Sequence, residues 1–555
     1  MAEQLHFAHW PPGVPRHLTL PQTHLFYNAE VSATRFPDKP FIVFYDSVLT
    51  FARFRDEAEA LAGWLQHEAG VQRGDRVLLD MQNSPQWVLA FYAILRADAV
   101  VVPVNPMNRR EELRHLAADS GATVAFVGQE LLDEVRPLLG QGLEHVVVAT
   151  YGDYLTAPTD LRVPDFITAP RTPLDDPHLA TWSGALARQL RPRPVQAGPD
   201  DPAVMPYTSG TTGHPKGCVH THRSVMSTLV GGTTWFSRTQ DAVYLAALPF
   251  FHVTGLSGSM NGPLYVGATV VVLPRWDRDA AAALMQRYRV TVWQAITAMV
   301  VDFVANPRLP EYDLSSLQGI RGGGAAMPEA VAQRLKDLTG LDFVEGYGMS
   351  ETIAATHINP PHRPKPQCLG IPVFDVDARI VDPVTLQELP RGESGEIVVH
   401  GPQVMQGYWN NAAANAAAFI DIDGKRFLRT GDLARIDEDG YFFMTDRLKR
   451  MINASGYKVW PAEVEALLYR HPAVQEACVI AAPDAKRGET VKAVVVLRPG
   501  FEHLTAQELI DWAHEHMAPY KSPRIVQFVS ALPKSGAGKV MWRQLQEAEA
   551  SGERT

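Results

Sequence analysis

The chain has 555 residues, more than one hydrophobic core organises, so it is expected to divide into more than one domain. With 46% hydrophobic and 20% charged residues it is not a disordered chain, and a formal net charge of -10 argues against a nucleic-acid partner. Its three widely spaced cysteines, Cys218, Cys368 and Cys478, form neither a disulfide framework nor a zinc pattern and point to a reducing, cytoplasmic setting. The start, MAEQLHFAHWPPGVP, lacks the basic residue and apolar run of an export signal. The most apolar stretches, AVVVPV at 99–104 and ATVVVLP at 268–274, are far shorter than the roughly 20 residues of a bilayer span and read as buried strands.

From residue 75 the pattern predicts a strand in RVLLDM, a helix over 85–96, a strand in AVVVPV, a polar helix over 109–120 and a strand in ATVAFV. That alternation is the mark of a parallel sheet. The segment 151–202, crowded with Pro, Asp and Thr, reads as an irregular surface excursion. A second α/β series follows: VYLAALP, ATVVVLP, a helix over 277–288, VTVWQAI, a helix over 298–304, GIRGGG, a helix from 328, and DFVEGYG. After 370 short strands punctuated by Gly and Pro suggest a β-rich module, and helices over 463–470 and 506–517 flank the strands EACVIAAP and VKAVVVLRP. The expected architecture is α/β: a large N-terminal domain (1–446) of two doubly wound sheets with a β-rich part at about 371–446, and a small mobile α+β domain (447–555).

Three polar loops follow apolar strands, where α/β sheets bind ligands, and in a fourth stretch an acid follows a Thr-Gly turn. In YTSGTTGHPKG (207–217) glycines let backbone N–H groups approach an anion, hydroxyls donate to phosphate oxygens and Lys216 adds a charge. The loop is not a Walker A motif, since Pro215-Lys216 stands where Gly-Lys is required. In RGGGAAMPEA a flat ligand can lie against bare backbone, or the stretch is a tight turn. In EGYGMSET, Tyr347 can stack on a base, Glu351 is a hard oxygen ligand suited to Mg²⁺ and Thr352 can bond a phosphate oxygen. In LRTGDLARID, Asp432 can accept both hydroxyls of a ribose or is a solvated loop acid.

Taken together and in order, with FPDKPFIVF, LPFFHVTGL, GEIVVHGPQVMQGYW, DRLKRMINASGYKVWPAEVE and PKSGAGK, these motifs resemble the adenylate-forming superfamily of acyl-CoA synthetases, luciferases and peptide-synthetase adenylation domains over nearly the whole length. The resemblance implies a two-step reaction using ATP, Mg²⁺ and CoA. A carboxylate attacks the α-phosphate, pyrophosphate leaves, and a thiol then displaces AMP. It assigns catalysis to Lys539, Glu351, Thr352 and His252. Thr208, Ser209, Gly210, Thr211, Thr212, Gly213 and Lys216 would handle the β- and γ-phosphates, with Thr208 and Glu351 on the metal. Gly323, Gly324, Ala325 and Tyr347 would line the adenine, and Asp432 and Arg447 would hold the ribose. Lys449 would be a hinge that presents first Lys539 and then Ser455, Gly456, Tyr457, Lys458 and Trp460, which form the CoA passage.

The segment around Phe250 offers no acid for an α-ammonium group, the sixteen residues after Lys539 leave no room for a carrier domain, and Asn453 stands where luciferases carry a lysine. That leaves free acids ligated to CoA, with Phe251, His252 and Leu256 in the acyl pocket. His252 is either a mobile wall near the carboxylate or a buried packing histidine. The expected substrate is a medium- or long-chain fatty acid. Coumarate- or benzoate-like aryl acids are the alternative within the class, and a catalytically inactive nucleotide sensor or scaffold is the alternative outside it. Homodimerisation and peripheral membrane contact are compatible with this reading.

Overall fold

A computed structural model describes residues 5–208, 215–324, 327–447, 450, 452–454, 457–459, 461–484, 488–517, 519, 521–534 and 540–551. The chain separates into two units: residues up to Asp377 together with Val399–Leu428, and Ala378–Val398 together with the chain from Arg429.

Both α/β series of the first unit form largely parallel sheets, each with nine strands among the described residues. One runs Gly407–Tyr408, Lys216–Thr221, Pro202–Val204, Val100–Pro103, Arg76–Asp80, Val124–Gly128, His145–Ala149, Leu179–Thr181, with Tyr207–Thr208 paired to Lys216–Thr221. The other runs Ile371–Pro372, Ala354–Ile358, Phe343–Met349, Gly319–Gly323, Val292–Ala295, Val243–Ala246, Thr269–Val272, Pro40–Phe44, Ser47–Thr50. One core joins them, holding Val77, Leu79 and Val101 of the first sheet with Leu245 and Val270 of the second. The helix Pro85–Arg96 lies within it and is buried at all its positions, which is why its sequence has no polar stripe. Ser84 caps it by accepting from Trp87 N at 3.1 Å, with Pro85 in the first turn.

The segment 151–202 departs from expectation. It is not merely a surface excursion: Leu179–Thr181 extends the first sheet by pairing in parallel with His145–Ala149. Tyr151, Ile167 and Trp182 are buried in the main core. Its anchors are single apolar residues spaced too widely to show a period.

In the second unit, Val474–Asp484 pairs along its length with Gly488–Leu497, whose other neighbours are Ile452–Ala454 and Ile525–Phe528. A separate core gathers Ile452, Val464, Val479, Val495 and Leu509. The helix expected over 463–470 is Pro461–Leu468. It starts earlier because Asp446 Oδ2 accepts from Ala462 N at 2.8 Å, a side-chain cap supplied from a preceding strand. The helix Ala506–His516 carries a capping box between Thr505 and Glu508. Among the described residues no helix is long and apolar enough to cross a membrane, and Cys218, Cys368 and Cys478 are all buried and outside any disulfide.

Candidate active site

The strands Val243–Ala246, Val292–Ala295, Gly319–Gly323 and Phe343–Met349 are neighbours and parallel, so their carboxyl ends form one edge. Onto that edge open the LPFFH segment, the helix Thr297–Val304, the glycine run 322–324 and the EGYGMSET segment. Ligands of α/β sheets bind at such an edge.

The glycines there are required by space. A Cβ on Gly322 would overlap the Ala295 carbonyl oxygen, and one on Gly323 the carbonyl oxygen of Gly346, its partner in register. Gly324 has φ 91°, a conformation side chains resist. The result is a wall of bare backbone. Beside it Tyr347 is 8% exposed, with its ring 5.7 Å from that of His357.

The turn Ser350–Thr352 is anchored on several sides. His220 Nε2 donates to Ser350 O at 2.7 Å, Met405 N donates to Glu351 O at 2.8 Å, and Thr352 Oγ1 donates to Ala354 O at 2.7 Å. Burial pushes the His220 imidazole down to about 4, so it stays neutral. Glu351 is 5% exposed, and its Oε1 accepts from Tyr408 Oη at 2.8 Å. Lys216 Nζ lies 4.2 Å from the centre of the same Tyr408 ring. Tyr408 thus bridges the expected phosphate-loop lysine and the expected metal-binding carboxylate. Burial, then the Glu351 charge, raises the Tyr408 phenol, so it remains a donor.

Thr208 pairs with Lys216 in an antiparallel register, which places both at the base of the 207–217 loop. That base is fixed by Tyr207 Oη donating to Asp119 Oδ2 at 2.6 Å and by Trp409 N donating to Gly217 O at 2.8 Å. His252 Nδ1 accepts from Thr254 N at 3.4 Å and caps the helical turn Val253–Gly255. Phe251 and His252 are half-buried, whereas Leu256 is fully buried in the main core. The segment is held from the first sheet: Asn83 Oδ1 accepts from Phe250 N, and its Nδ2 donates to Leu248 O, both at 2.8 Å.

In the second unit Asp432 lies opposite Arg447 in an antiparallel register and is 5% exposed. Its turn is held by Glu396, which accepts from Gly431 N at 3.0 Å and pairs with Arg429 at 2.6 Å. Ser209, Gly210, Thr211, Thr212, Gly213, Ala325, Lys449, Ser455, Gly456, Trp460 and Lys539 lie outside the described residues, and Arg447, Tyr457 and Lys458 are described in backbone only.

Two groups went unassigned in the sequence reading. Tyr408 sits inside the quoted MQGYW motif, yet nothing local couples it to residue 351. Glu345 is 7% exposed, and burial pushes its carboxyl up to about 7 although it accepts from Gln367 N at 3.2 Å and Met327 N at 3.4 Å. An acid within an apolar strand was the available signal.

A glycine-walled strand edge beside an anchored acidic turn and a lysine-bearing hairpin is suited to a nucleotide. The model of the AMP-binding enzyme family matches residues 29–409, and that of its C-terminal domain matches 463–539. The chain belongs to the AMP-binding enzyme family. It is 35% identical to a long-chain-fatty-acid--CoA ligase of Bacillus subtilis (strain 168), covering 98% of this chain and 97% of that protein. It is also 35% identical to a feruloyl-CoA synthase of an Amycolatopsis species, covering 89% and 93%. Among solved structures, the anthranilate CoA ligase AuaEII in complex with anthranoyl-AMP matches with a TM-score of 0.81 and 28% identity over 96% of this chain and 99% of that one. The expected adenylate-forming α/β architecture holds.

Proposed function

We propose that the chain is an AMP-forming acid–thiol ligase. It activates a free carboxylic acid, a medium- or long-chain fatty acid, as the acyl-adenylate and passes the acyl group to CoA. The observation that carries this reading is the site edge itself: bare glycine backbone, Tyr347 and the anchored Glu351–Thr352 turn on adjacent strands. Relatives named as fatty-acid ligases support the fatty acid, and the feruloyl-CoA synthase likeness favours a second reading with an aryl acid.

In this account Gly323, Gly324, Ala325 and Tyr347 line the adenine, Asp432 and Arg447 hold the ribose, and Thr352 touches the α-phosphate. Lys216 and the hydroxyls of the 208–212 stretch hold the departing phosphates. Glu351 and Thr208 offer hard oxygen donors that fit Mg²⁺. A Mg²⁺ held there would take its remaining ligands from nucleotide phosphates and waters. Bound there, Mg²⁺ would supply positive charge to the phosphoryl oxygens. Lys539 brings the carboxylate and phosphate together in the first step, and rotation about Lys449 replaces it with 455–460 for the thiol. We take the mobile domain to begin at residue 447. Three buried cysteines outside any disulfide support a cytoplasmic location.

The test is acid-dependent release of pyrophosphate from ATP. Release on addition of a carboxylic acid is expected, whereas a nucleotide-binding scaffold would bind ATP and release none.

A further inference from the structure

The turn that carries Glu351 and Thr352 ends in a residue held against its own preference. Ile353 has φ 51°, in the left-handed region where a β-branched side chain is an outlier, and it is fully buried. Its carbonyl oxygen accepts from Ser257 Oγ at 2.8 Å. Ser257 is itself only 5% exposed, so solvent is poorly placed to replace that donor.

Ser257 belongs to a π-helical stretch, Leu256–Asn261, which begins four residues after His252. Such stretches are rare and recur at functional sites. This one is pinned against the sheets. Ser259 Oγ donates to Gln294 Oε1 at 3.2 Å, a Cβ on Gly258 would overlap the Gln294 side chain, and Asn261 accepts from Tyr92 Oη. This hydrogen bond between Ser257 and Ile353 therefore links the helix behind the acyl segment to the acidic turn. The Thr352 hydroxyl reaches across Ile353 to Ala354 O. If the Ile353 backbone relaxes, the Thr352 hydroxyl moves with it.

We propose that Ser257 is a positioning residue: it holds Ile353 in the left-handed conformation and thereby ties the helix behind the acyl segment to the placement of Glu351 and Thr352. The inference rests on the reading of those two residues as nucleotide-facing groups. Strain held at a site by one specific contact is a recognised device for fixing geometry.

The test compares wild type, S257A, I353G and the double variant S257A/I353G. The readouts are kcat and KM for ATP in acid-dependent pyrophosphate release, the MgATP-induced thermal shift, and Tm without ligand. Losing one buried hydrogen bond should lower kcat/KM for ATP by about tenfold in S257A. Glycine adopts the left-handed conformation unaided, so I353G should restore the S257A enzyme to the level of I353G alone. A serine that only fills space would give no such rescue. The proposal is overturned if S257A lowers Tm but leaves kcat/KM and the MgATP shift unchanged, or if the double variant is as impaired as S257A. If the wild type binds MgATP yet releases no pyrophosphate with any acid, the ligase reading fails. The thermal shifts of the four proteins still decide this inference.

Discussion

Tyr408 stands between the two charges on which the proposed first step relies, and removing its hydroxyl tests that arrangement. The phenol donates to Glu351 Oε1 at 2.8 Å while its ring receives Lys216 Nζ at 4.2 Å. Y408F deletes the first contact and keeps the second, whereas Y408L deletes both and keeps bulk. A hydrogen bond to a charged group contributes about 1.5–3 kcal/mol, and Glu351, at 5% exposure, has little solvent to substitute for it. A cation–π contact adds about 0.5–2 kcal/mol. At 1.4 kcal/mol per factor of ten, Y408F should lower kcat/KM for ATP by about 10- to 100-fold, and Y408L by a further factor of about 2 to 30. The assay is steady-state pyrophosphate release across a Mg²⁺ titration, with thioester formation from supplied acyl-AMP as control. The loss should fall on adenylation and leave the control near wild type. Y408F with wild-type kcat/KM at every Mg²⁺ concentration would refute the reasoning.

Other expectations follow from the same geometry. G323A places a methyl group against the Gly346 carbonyl oxygen, so it should separate the two strand ends and raise KM for ATP by at least about tenfold, as measured by initial rates; an unchanged KM would remove Gly323 from the nucleotide wall. K539A should abolish acyl-adenylate formation while sparing thioester formation from supplied acyl-AMP, and a bulky residue at Gly456 should do the reverse; equal loss of both half-reactions in both variants would contradict the alternation. Burial raises the Glu345 carboxyl from its ordinary 4.5 to about 7, so its contribution to stability is fully present below pH 4.5 and is lost as pH rises through about 7. E345Q should therefore show a shallower decline of Tm than wild type between pH 4.5 and 7, and identical slopes would show that the buried acid is not protonated in the fold.

The strands of both sheets were legible because buried parallel strands read as short β-branched runs, as in AVVVPV and ATVVVLP. Partner choice was less so. Pro40–Phe44 pairs with Thr269–Val272, with Ile42 opposite Val270, and no local pattern carries a contact of that range. The segment 151–202 was misread because Tyr151, Ile167 and Trp182 anchor it one at a time. At the site, residues whose chemistry is local could be read directly: glycines that admit close backbone approach, and a glutamate beside a glycine turn. Tyr408, Asn83 and Ser257 could not, because each acts through hydrogen bonds to residues far away in sequence. The placement of the helix start at Pro461 depended likewise on Asp446, which lies outside the helix and its first turn.

The central claim is tested most directly by incubating the protein with ATP, Mg²⁺, CoA and a panel of free acids, from short to long fatty acids through to coumarate- and benzoate-like aryl acids, and measuring thioester and AMP by mass spectrometry. The account predicts acyl-CoA and AMP in equal amounts, with highest kcat/KM for a medium- or long-chain fatty acid. Adenylate accumulation without thioester from any acid would contradict the CoA assignment, and preference for an aryl acid would contradict the fatty-acid assignment.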